Sequence, residues 1–178
     1  MSKIYLSMLL IILSSTVIAA PMGFSKGPVL GDYGSNIIIA GGIETPESQE
    51  FKVVFDISEH DEKGQVSRKL DTVARFINMH VRAGVPLKNL DLAIVVHGKA
   101  GFDLMSNAAH QVKFDKANPN EELLNSLLDA NVKVFVCGQS SSFLGVAKKD
   151  LNPRVKMSLS AMTANALLQQ QGYTLNPF

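Results

Sequence analysis

The chain has 178 residues, with 17 Lys and Arg against 16 Asp and Glu and a formal net charge of +1. This length is enough for one ordinary domain with its own hydrophobic core. Neither sign of charge dominates and no basic stripe is present, which argues against nucleic acid and acidic membrane surfaces as partners. The single cysteine, Cys137, excludes an intramolecular disulfide, so the core alone must hold the fold.

The first residues have the pattern of a secretion signal. Lys3 supplies a positive charge, residues 4–13 form an apolar run, and Val17 and Ala19 occupy the two positions that a signal peptidase recognises. The apolar run is shorter than the about 20 residues that a membrane span requires, so no permanent membrane anchor is expected. We predict a signal peptide over residues 1–19 and export of the remaining chain, with the periplasm as the expected compartment.

Residues 20–50 differ in composition from the rest of the chain. They are rich in glycine and proline and have few periodic apolar positions. This composition predicts an extended arm that lies over the following domain or over a neighbouring subunit. Residues 29–30 and 37–40 give the arm apolar side chains to bury, which favours irregular packing over disorder.

Strand and helix patterns alternate over residues 51–178, which we assign to one domain. Strands are predicted over residues 51–57, 91–96, 132–136, 155–159 and 173–175, and helices over 68–83, 102–109, 119–130, 140–146 and 160–171. The second and third strands are apolar without clean alternation, as expected for strands that helices cover on both faces. The pattern predicts the α/β class: a three-layer α/β/α fold around a mainly parallel five-stranded sheet.

The first predicted helix is apolar on two sides. Leu70 and Ile77 belong to a stripe that faces the sheet, whereas Phe76, Met79 and Ala83 lie roughly opposite. The second side predicts a second partner, either the arm or another subunit, and we favour a subunit. The alternative is that these residues are scattered apolar side chains on the surface.

Two loops follow the second and third predicted strands, at the sheet edge where open parallel sheets bind ligands. The candidate site residues in these loops are His97, Gly98 and Lys99 after the second strand and Cys137, Gly138, Gln139 and Ser140 at the end of the third.

Cys137 lies where a strand is predicted to turn into a helix. The unpaired N–H groups and the positive dipole end of a helix start favour the thiolate, which is the nucleophilic form of cysteine. Gly138 permits a tight turn and the close approach of a ligand. The alternative is a buried cysteine that acts as a small hydrophobic residue. Position in the sequence does not decide between the two.

His97 is a candidate general base, thiolate partner or ligand-orienting donor, or else a histidine that only satisfies backbone groups at a strand end. Lys99 and the helix starts are candidates for holding a small anion. His60, His80 and His110 are predicted on loop or helix surfaces without partners at metal-ligand spacing, so no metal site is expected. No P-loop or dinucleotide motif is present in the sequence, and no cofactor is expected.

Two further sequence features do not support a catalytic site. Asp56 and Asp103 are too isolated in sequence to be proposed as an acid/base pair. The segment from Gly138 to Ser142 lacks the second glycine of a nucleophile elbow, which argues against a serine hydrolase.

Five separated segments together resemble the exported, single-domain branch of the DsrE family. They are KVVFDIS (52–58), ARFINMHVRAGVP (74–86), LAIVVHGKA (92–100), VKVFVCGQSSSFLGV (132–146) and SAMTANALLQQQGYTLNPF (160–178). The resemblance covers about residues 51–178 and extends loosely into the arm. It implies a DsrE-like α/β/α fold with a parallel five-stranded sheet, and a homo-oligomer, either a trimer or a hexamer.

The resemblance also implies a chemistry. In intracellular members of the family, one cysteine at the end of the third strand relays sulfur as a persulfide, within a VC-x7-G pattern. Cys137 and Gly145 match that pattern. The role is therefore carried to Cys137, with a thiol-containing protein as sulfur donor or acceptor. His97 belongs to the VVHG pattern of the exported branch, which has no established role.

We therefore expect a periplasmic protein that carries or relays sulfane sulfur as a persulfide on Cys137. His97 would position or deprotonate a reactant, and backbone amides after Cys137 would steady the anion. Whether the protein turns over as an enzyme stays open. The alternative is a non-catalytic, oligomeric binding module for a small anion or partner protein, in which Phe76→Glu or Met79→Glu breaks assembly and Cys137→Ser has no effect.

Overall fold

The computed structural model describes residues 23–60 and 64–176. The predicted signal peptide over residues 1–19 lies outside the described residues, as does the start of the arm up to residue 22. Within the two described stretches, no helix combines the length and the apolar character that crossing a membrane requires.

Strands and helices alternate along the chain after the arm. The strands are β1 (Phe51–Ile57), β2 (Leu90–Val96), β3 (Lys133–Cys137), β4 (Lys156–Ser158) and β5 (Thr174–Asn176). The α-helices are α1 (Arg68–Arg82), α2 (Asn107–Phe114), α3 (Glu121–Asp129), α4 (Gly138–Phe143) and α5 (Ala161–Gln170). Short 3-10 helices cover Pro46–Ser48, Leu87–Asn89, Gly98–Leu104 and Lys148–Asp150.

The five strands form one sheet in the order β4-β3-β2-β1-β5, and every neighbouring pair is parallel. The register pairs Asp56 with Val95 and Val96 with Val136. The carboxyl ends of β1, β2 and β3 therefore meet at one edge of the sheet. The predicted fold class is confirmed: the sheet is five-stranded and parallel, with helices on its faces.

Each face of the sheet buries its own apolar cluster. On one face, alternate residues such as Phe55 and Ile94 pack with Leu70 of α1 and Leu124 of α3. On the other face, residues such as Val54, Val95 and Phe135 pack with Ala164 and Leu168 of α5. Burial on both faces explains why residues 92–96 of β2 lack a polar alternation, because all five are buried. Each large aliphatic side chain so buried contributes about 1.5–3 kcal/mol.

The region after β2 is more elaborate than the one short helix predicted over residues 102–109. The 3-10 helix Gly98–Leu104 comes first, and α2 then begins anew and extends to Phe114. Ser106 starts α2 because its hydroxyl accepts a hydrogen bond from the Ala109 amide at 3.3 Å.

The arm lies along α1 and is fixed by the side chain of Asn78, which is completely buried. Asn78 Oδ1 accepts hydrogen bonds from the amides of Val29 (3.0 Å) and Leu30 (2.9 Å), and Nδ2 donates to the carbonyls of Leu30 (3.1 Å) and Tyr33 (2.9 Å). A second anchor is close packing: Gly34 has φ +63°, and a Cβ there would lie 2.4 Å from the backbone of Ala74.

The second apolar side of α1 has different neighbours at different residues. The ring of Phe76 packs against Phe51 and Phe55, with centroid distances of 6.0 and 5.5 Å. Met79 lies beside arm residues 37–39 and 42–43, with which it lines a cavity. Phe76 thus packs against β1, whereas Met79 lies near the arm, and the subunit contact stays a prediction. A Phe76→Glu change would disturb the core, so it would not isolate assembly.

Two histidines predicted on the surface are buried instead. His80 is 7% exposed, because its ring stacks on Phe76 at 3.9 Å and its Nδ1 bonds the Phe76 carbonyl at 2.7 Å. Burial lowers the pKa of His80, and the hydrogen bond to Phe76 opposes this only in part. His110 is equally buried, and its Nδ1 lies 2.7 Å from the carbonyl of Lys116.

Candidate functional site

The two candidate loops meet at the carboxyl edge of the sheet. Cys137 is the last residue of β3 and His97 directly follows β2, and the preceding residues Val96 and Val136 are paired. Neighbouring parallel strands are about 4.8 Å apart, so the two backbones are adjacent. Cys137 packs in the cluster on the α5 face of the sheet. Because side chains alternate along a strand, His97 and Asp56 project toward the same face.

The sulfur of Cys137 caps the start of α4. Its Sγ accepts a hydrogen bond from the Ser140 amide at 3.4 Å. Burial acts to raise the pKa of the Cys137 thiol, but hydrogen bonds from the Ser140 hydroxyl and from the amides of Ser140, Ala161 and Gln139 outweigh it and lower the pKa. The predicted position at a strand-to-helix turn is what the structure has, and Gln139 and Ser140 lie beside the sulfur.

Cys137 is also 5% exposed, with Val54, Ala93 and Val95 in the same apolar cluster. The sulfur therefore has apolar neighbours on one side and hydrogen-bond donors on the other. This combines features of both sequence interpretations, the buried residue and the activated thiol. Only a small reagent can therefore reach the Cys137 sulfur without a change in the surrounding structure.

Ser140 connects the two loops. Its Oγ accepts a hydrogen bond from the Gly98 amide at 3.1 Å. Its own amide and hydroxyl donate hydrogen bonds to the sulfur of Cys137. Gly98 has φ +55°, a conformation that suits glycine. Lys99, the next residue, is exposed. The loop after β2 is thus joined to the cysteine through one hydroxyl group.

Gly138 is required by close packing rather than by its backbone angles. A Cβ at this position would lie 2.7 Å from the carbonyl oxygen of Ser158 at the end of β4. The Ser158 hydroxyl donates to the carbonyl of Val136 or Ser160, at 3.0 Å from each. The turn after Cys137 therefore passes tightly beneath the segment that leads into α5.

Gly145 ends the short helix that begins after Cys137. It has φ +65°, its amide donates to the Ser142 carbonyl at 3.2 Å, and the Val146 amide donates to the Ser141 carbonyl at 2.8 Å. These bonds and the left-handed residue form a glycine C-cap. The spacing between Cys137 and Gly145 thus equals the length of α4 plus its cap.

His97 is held by a carboxylate and not by the thiol. Its Nε2 lies 3.1 Å from Oδ2 of Asp56, and Oδ1 of Asp56 accepts a hydrogen bond from Nδ2 of Asn165 at 2.7 Å. The His97 amide donates to the Ile57 carbonyl at 2.9 Å. Among the described residues, no hydrogen bond joins His97 to Cys137, so direct thiolate pairing is not the resting arrangement.

Sequence reasoning missed the roles of Asp56, Asn165 and Ala161. Asp56 was set aside as isolated, yet it pairs with His97, 41 residues away, and with Asn165, 109 residues away. Asp103, set aside for the same reason, lies 2.7 Å from Nδ1 of His60. Alternation along β1 was the available signal, because it places Asp56 on the same face as His97.

No metal-binding arrangement is found in the described part of the chain. Over residues 23–60 and 64–176, no three or more His, Cys, Asp or Glu side chains are grouped so that they could hold a metal ion.

A sequence model of the DsrE/DsrF-like family matches residues 52–177, most of the chain. The chain belongs to this family. Membership in the DsrE family suggests a role related to sulfur relay. No curated protein matches the chain.

The fold recurs in a protein of unknown function, MTH1491, from Methanobacterium thermoautotrophicum. The two structures are similar with a TM-score of 0.57 at 16% sequence identity, and the match covers 72% of this chain and 100% of the other. At this identity the similarity shows a shared fold, which agrees with the DsrE-like architecture.

Proposed function

We propose that the protein carries sulfane sulfur as a persulfide on Cys137 and passes it to an acceptor thiol. The observation that carries the proposal is the environment of the sulfur. Hydrogen bonds from Ser140, Ala161 and Gln139 lower the pKa of the thiol against the effect of burial. A lower pKa increases the fraction of Cys137 in the reactive thiolate form for loading, and it makes the sulfur a better leaving group during discharge. Family membership supports the same chemistry.

The transfer takes place in two displacements at sulfur. In loading, the Cys137 thiolate attacks the outer sulfur of a donor hydropersulfide, the new S–S bond forms, and the donor's own S–S bond breaks to release a thiolate. In discharge, an acceptor thiolate attacks the outer sulfur on Cys137, and the electron pair of the broken bond returns to Sγ. The amides that face Sγ stabilise the charge each time it appears there.

The burial of Cys137 restricts the donor. With 5% of the residue exposed, the attacked sulfur must be terminal and unhindered. Hydropersulfides and inorganic polysulfide meet this requirement, whereas a disulfide between two folded proteins does not.

Intact-mass analysis after incubation with inorganic polysulfide and removal of the excess tests the proposal. We expect one added sulfur atom per chain on the wild-type protein and none on Cys137→Ser. Treatment with a reductant should return the original mass. Wild-type protein without an adduct would contradict the proposal.

The low exposure of Cys137 is also the observation that favours the alternative, a non-catalytic binding module. Reaction with methyl methanethiosulfonate, a small reagent, separates the two functions. A sulfur carrier should react rapidly in the folded state with this reagent and slowly with a bulky maleimide. A thiol that reacts with neither until urea unfolds the chain would favour the binding module.

We further propose that the protein is exported and works in the periplasm. The support is the pattern of Lys3, the apolar run over residues 4–13, and Val17 and Ala19. Expression of the full chain in a Gram-negative host, followed by cell fractionation and N-terminal sequencing, tests this proposal. We expect the mature protein in the periplasmic fraction, beginning at residue 20. A cytoplasmic chain that retains residue 3 would contradict it.

We also infer a homo-oligomer, assembled through the face of the sheet that carries α5. Phe143, Leu159 and Met162 are 90%, 71% and 79% exposed on and beside α4 and α5. A cavity of about 420 Å³ lies alongside, lined by Phe135, Leu167 and other residues. Such an apolar surface is typical of a protein contact.

Size-exclusion chromatography of matched variants tests the assembly. Met162→Glu should shift the protein to the size of one chain. Val112→Glu, which places the same charge at a residue that is 89% exposed on α2, should leave the size unchanged. Wild-type protein that elutes as a single chain would contradict the inference.

A further inference from the structure

We propose that Asp56 positions His97 so that its imidazole carries one proton between the donor and acceptor thiols during sulfur transfer through Cys137. The proposal rests on the proposed function and adds to it a proton carrier and a positioning residue. The deciding observation is the contact of 3.1 Å between Asp56 Oδ2 and His97 Nε2, on the face of the sheet that also holds Cys137.

Asp56 is fixed from two sides. Its Oδ1 accepts a hydrogen bond from Asn165 of α5 at 2.7 Å, so the carboxylate cannot turn away from His97 without losing that bond. Ala161, whose amide faces the Cys137 sulfur, lies one turn before Asn165 on the same helix. The start of α5 therefore contacts both the nucleophile, through the Ala161 amide, and the carboxylate, through the Asn165 side chain.

The carboxylate also sets which ring nitrogen is available. An ionised Asp56 can only accept, so the Nε2 of His97 that faces it carries the proton. Nδ1 makes no hydrogen bond with any described residue, which leaves it for a reactant. The side chain of His97 is 33% exposed, so it can meet a small thiol that enters beside the buried sulfur.

The proton balance follows from the two displacements. During loading, the donor leaves as a thiolate, and a protonated His97 gives it one proton to make the free thiol. During discharge, the acceptor thiol loses its proton to the now neutral His97 and attacks the outer sulfur on Cys137. The sum converts a donor hydropersulfide and an acceptor thiol into a donor thiol and an acceptor hydropersulfide. Cys137 and His97 return to their starting protonation states.

Few other ionisable groups surround His97. Asp56 faces it from β1, Cys137 lies on β3, and α4 and α5 contain no ionisable residue. Glu59 and His60 follow β1, and Lys99 lies two residues beyond His97. The Asp56 carboxylate is the group in direct contact, so its removal should have the largest effect on how the imidazole is held.

The test compares two reactions of Cys137 that differ in their need for a proton. Loading from an alkyl hydropersulfide releases an alkyl thiolate that must be protonated. Alkylation by iodoacetamide releases iodide, which takes no proton. We expect Asp56→Asn to slow loading at least about tenfold and to change its pH profile, while the alkylation rate stays within about twofold of wild type. An aromatic hydropersulfide, whose thiolate leaves unprotonated, should restore most of the loading rate.

Control variants distinguish a failure of the proton carrier from a failure of the proposed sulfur carrier. Asp129→Asn, a change of the same chemistry at an exposed carboxylate on α3, should alter neither reaction. His97→Asn should reproduce the effect of Asp56→Asn. Equal slowing of loading and alkylation in Asp56→Asn, or no slowing of loading, overturns the proton carrier. Failure of the wild-type protein to load from any donor overturns the sulfur carrier itself.

Discussion

The amide of Ser140 donates a hydrogen bond to the sulfur of Cys137 at 3.4 Å, and the hydroxyl oxygen of the same serine accepts one from the amide of Gly98 at 3.1 Å. One residue therefore stabilises the thiolate and fixes the neighbouring loop that begins with His97. The arrangement explains why a short helix follows the cysteine: α4 presents its free amides to the sulfur, and Gly145 then ends it.

Replacement of Ser140 by alanine should raise the pKa of the Cys137 thiol. The variant loses the hydroxyl hydrogen bond that favours the thiolate, while burial, which favours the thiol, remains. The pH dependence of iodoacetamide alkylation measures the pKa. Ser142→Ala, an exposed serine on the same helix, is the control and should alkylate like wild type. An unchanged midpoint in Ser140→Ala would show that the hydroxyl does not act on the sulfur.

Gly138→Ala should destabilise the fold by about 1–3 kcal/mol, because its Cβ would lie 2.7 Å from the Ser158 carbonyl oxygen. The backbone there must shift, since the obstructing atom is not a flexible side chain. Urea unfolding followed by circular dichroism gives the free energy. Gly31→Ala is the matched control, because no atom lies within 4 Å of its added Cβ. Equal midpoints for the two variants would contradict the close packing.

Asn78→Ala should release the arm from α1. The variant removes hydrogen bonds to the amides of Val29 and Leu30 and to the carbonyls of Leu30 and Tyr33, which leaves polar groups unpaired near the core. We expect a loss of about 2–4 kcal/mol in the free energy of unfolding and faster proteolysis within the arm. Arg75→Ala, at an exposed position of the same helix, should retain a protected arm. An equally protected arm in Asn78→Ala would contradict this.

The ion pair between Asp91 and Lys133 at the opposite edge of the sheet should give a small, pH-dependent stabilisation. Partial burial raises the pKa of Asp91, but hydrogen bonds from Lys133 and Tyr173 outweigh it and lower the pKa. A lowered carboxyl pKa gives stability that is complete above the unfolded value of about 3.9 and is lost as the pH falls through the folded value.

Asp91→Asn should therefore cost about 1 kcal/mol or less at pH 7, because both side chains are more than a third exposed, and less at pH 2, where more of the carboxyl is protonated. Urea midpoints at the two pH values measure this. An equal loss of stability at both pH values would mean that the charge of the Asp91 carboxylate does not stabilise the fold. Asp129→Asn, at the exposed pair with Arg154, provides the comparison for a surface ion pair.

The elements that sequence predicts well are those fixed by local pattern. The alternation of apolar strands with capped helices predicts the parallel sheet. The sequence around Cys137 predicts a helix start, because glycine and serine follow a buried strand. These features depend on residues that are close in the chain.

Long-range polar contacts could not be predicted in the same way. Asp56 meets Asn165 across 109 residues, and only the strand order and the position of α5 bring them together. His80 was placed on the surface because its polarity suggests exposure. The stacked ring of Phe76, one turn earlier, covers it instead. Such pairs depend on which face of a helix is buried. When both faces carry apolar residues, a single sequence does not determine this.

The most direct test of the account follows the sulfur atom out of the protein. Wild-type protein is loaded with polysulfide, freed of the excess, and mixed with free cysteine at neutral pH, and the sulfur on both partners is measured by mass spectrometry. The account predicts that the added sulfur leaves Cys137 and appears as cysteine persulfide, and that the same protein loads again. A protein that never takes up sulfur, or that keeps it in the presence of excess thiol, would contradict a relay through Cys137.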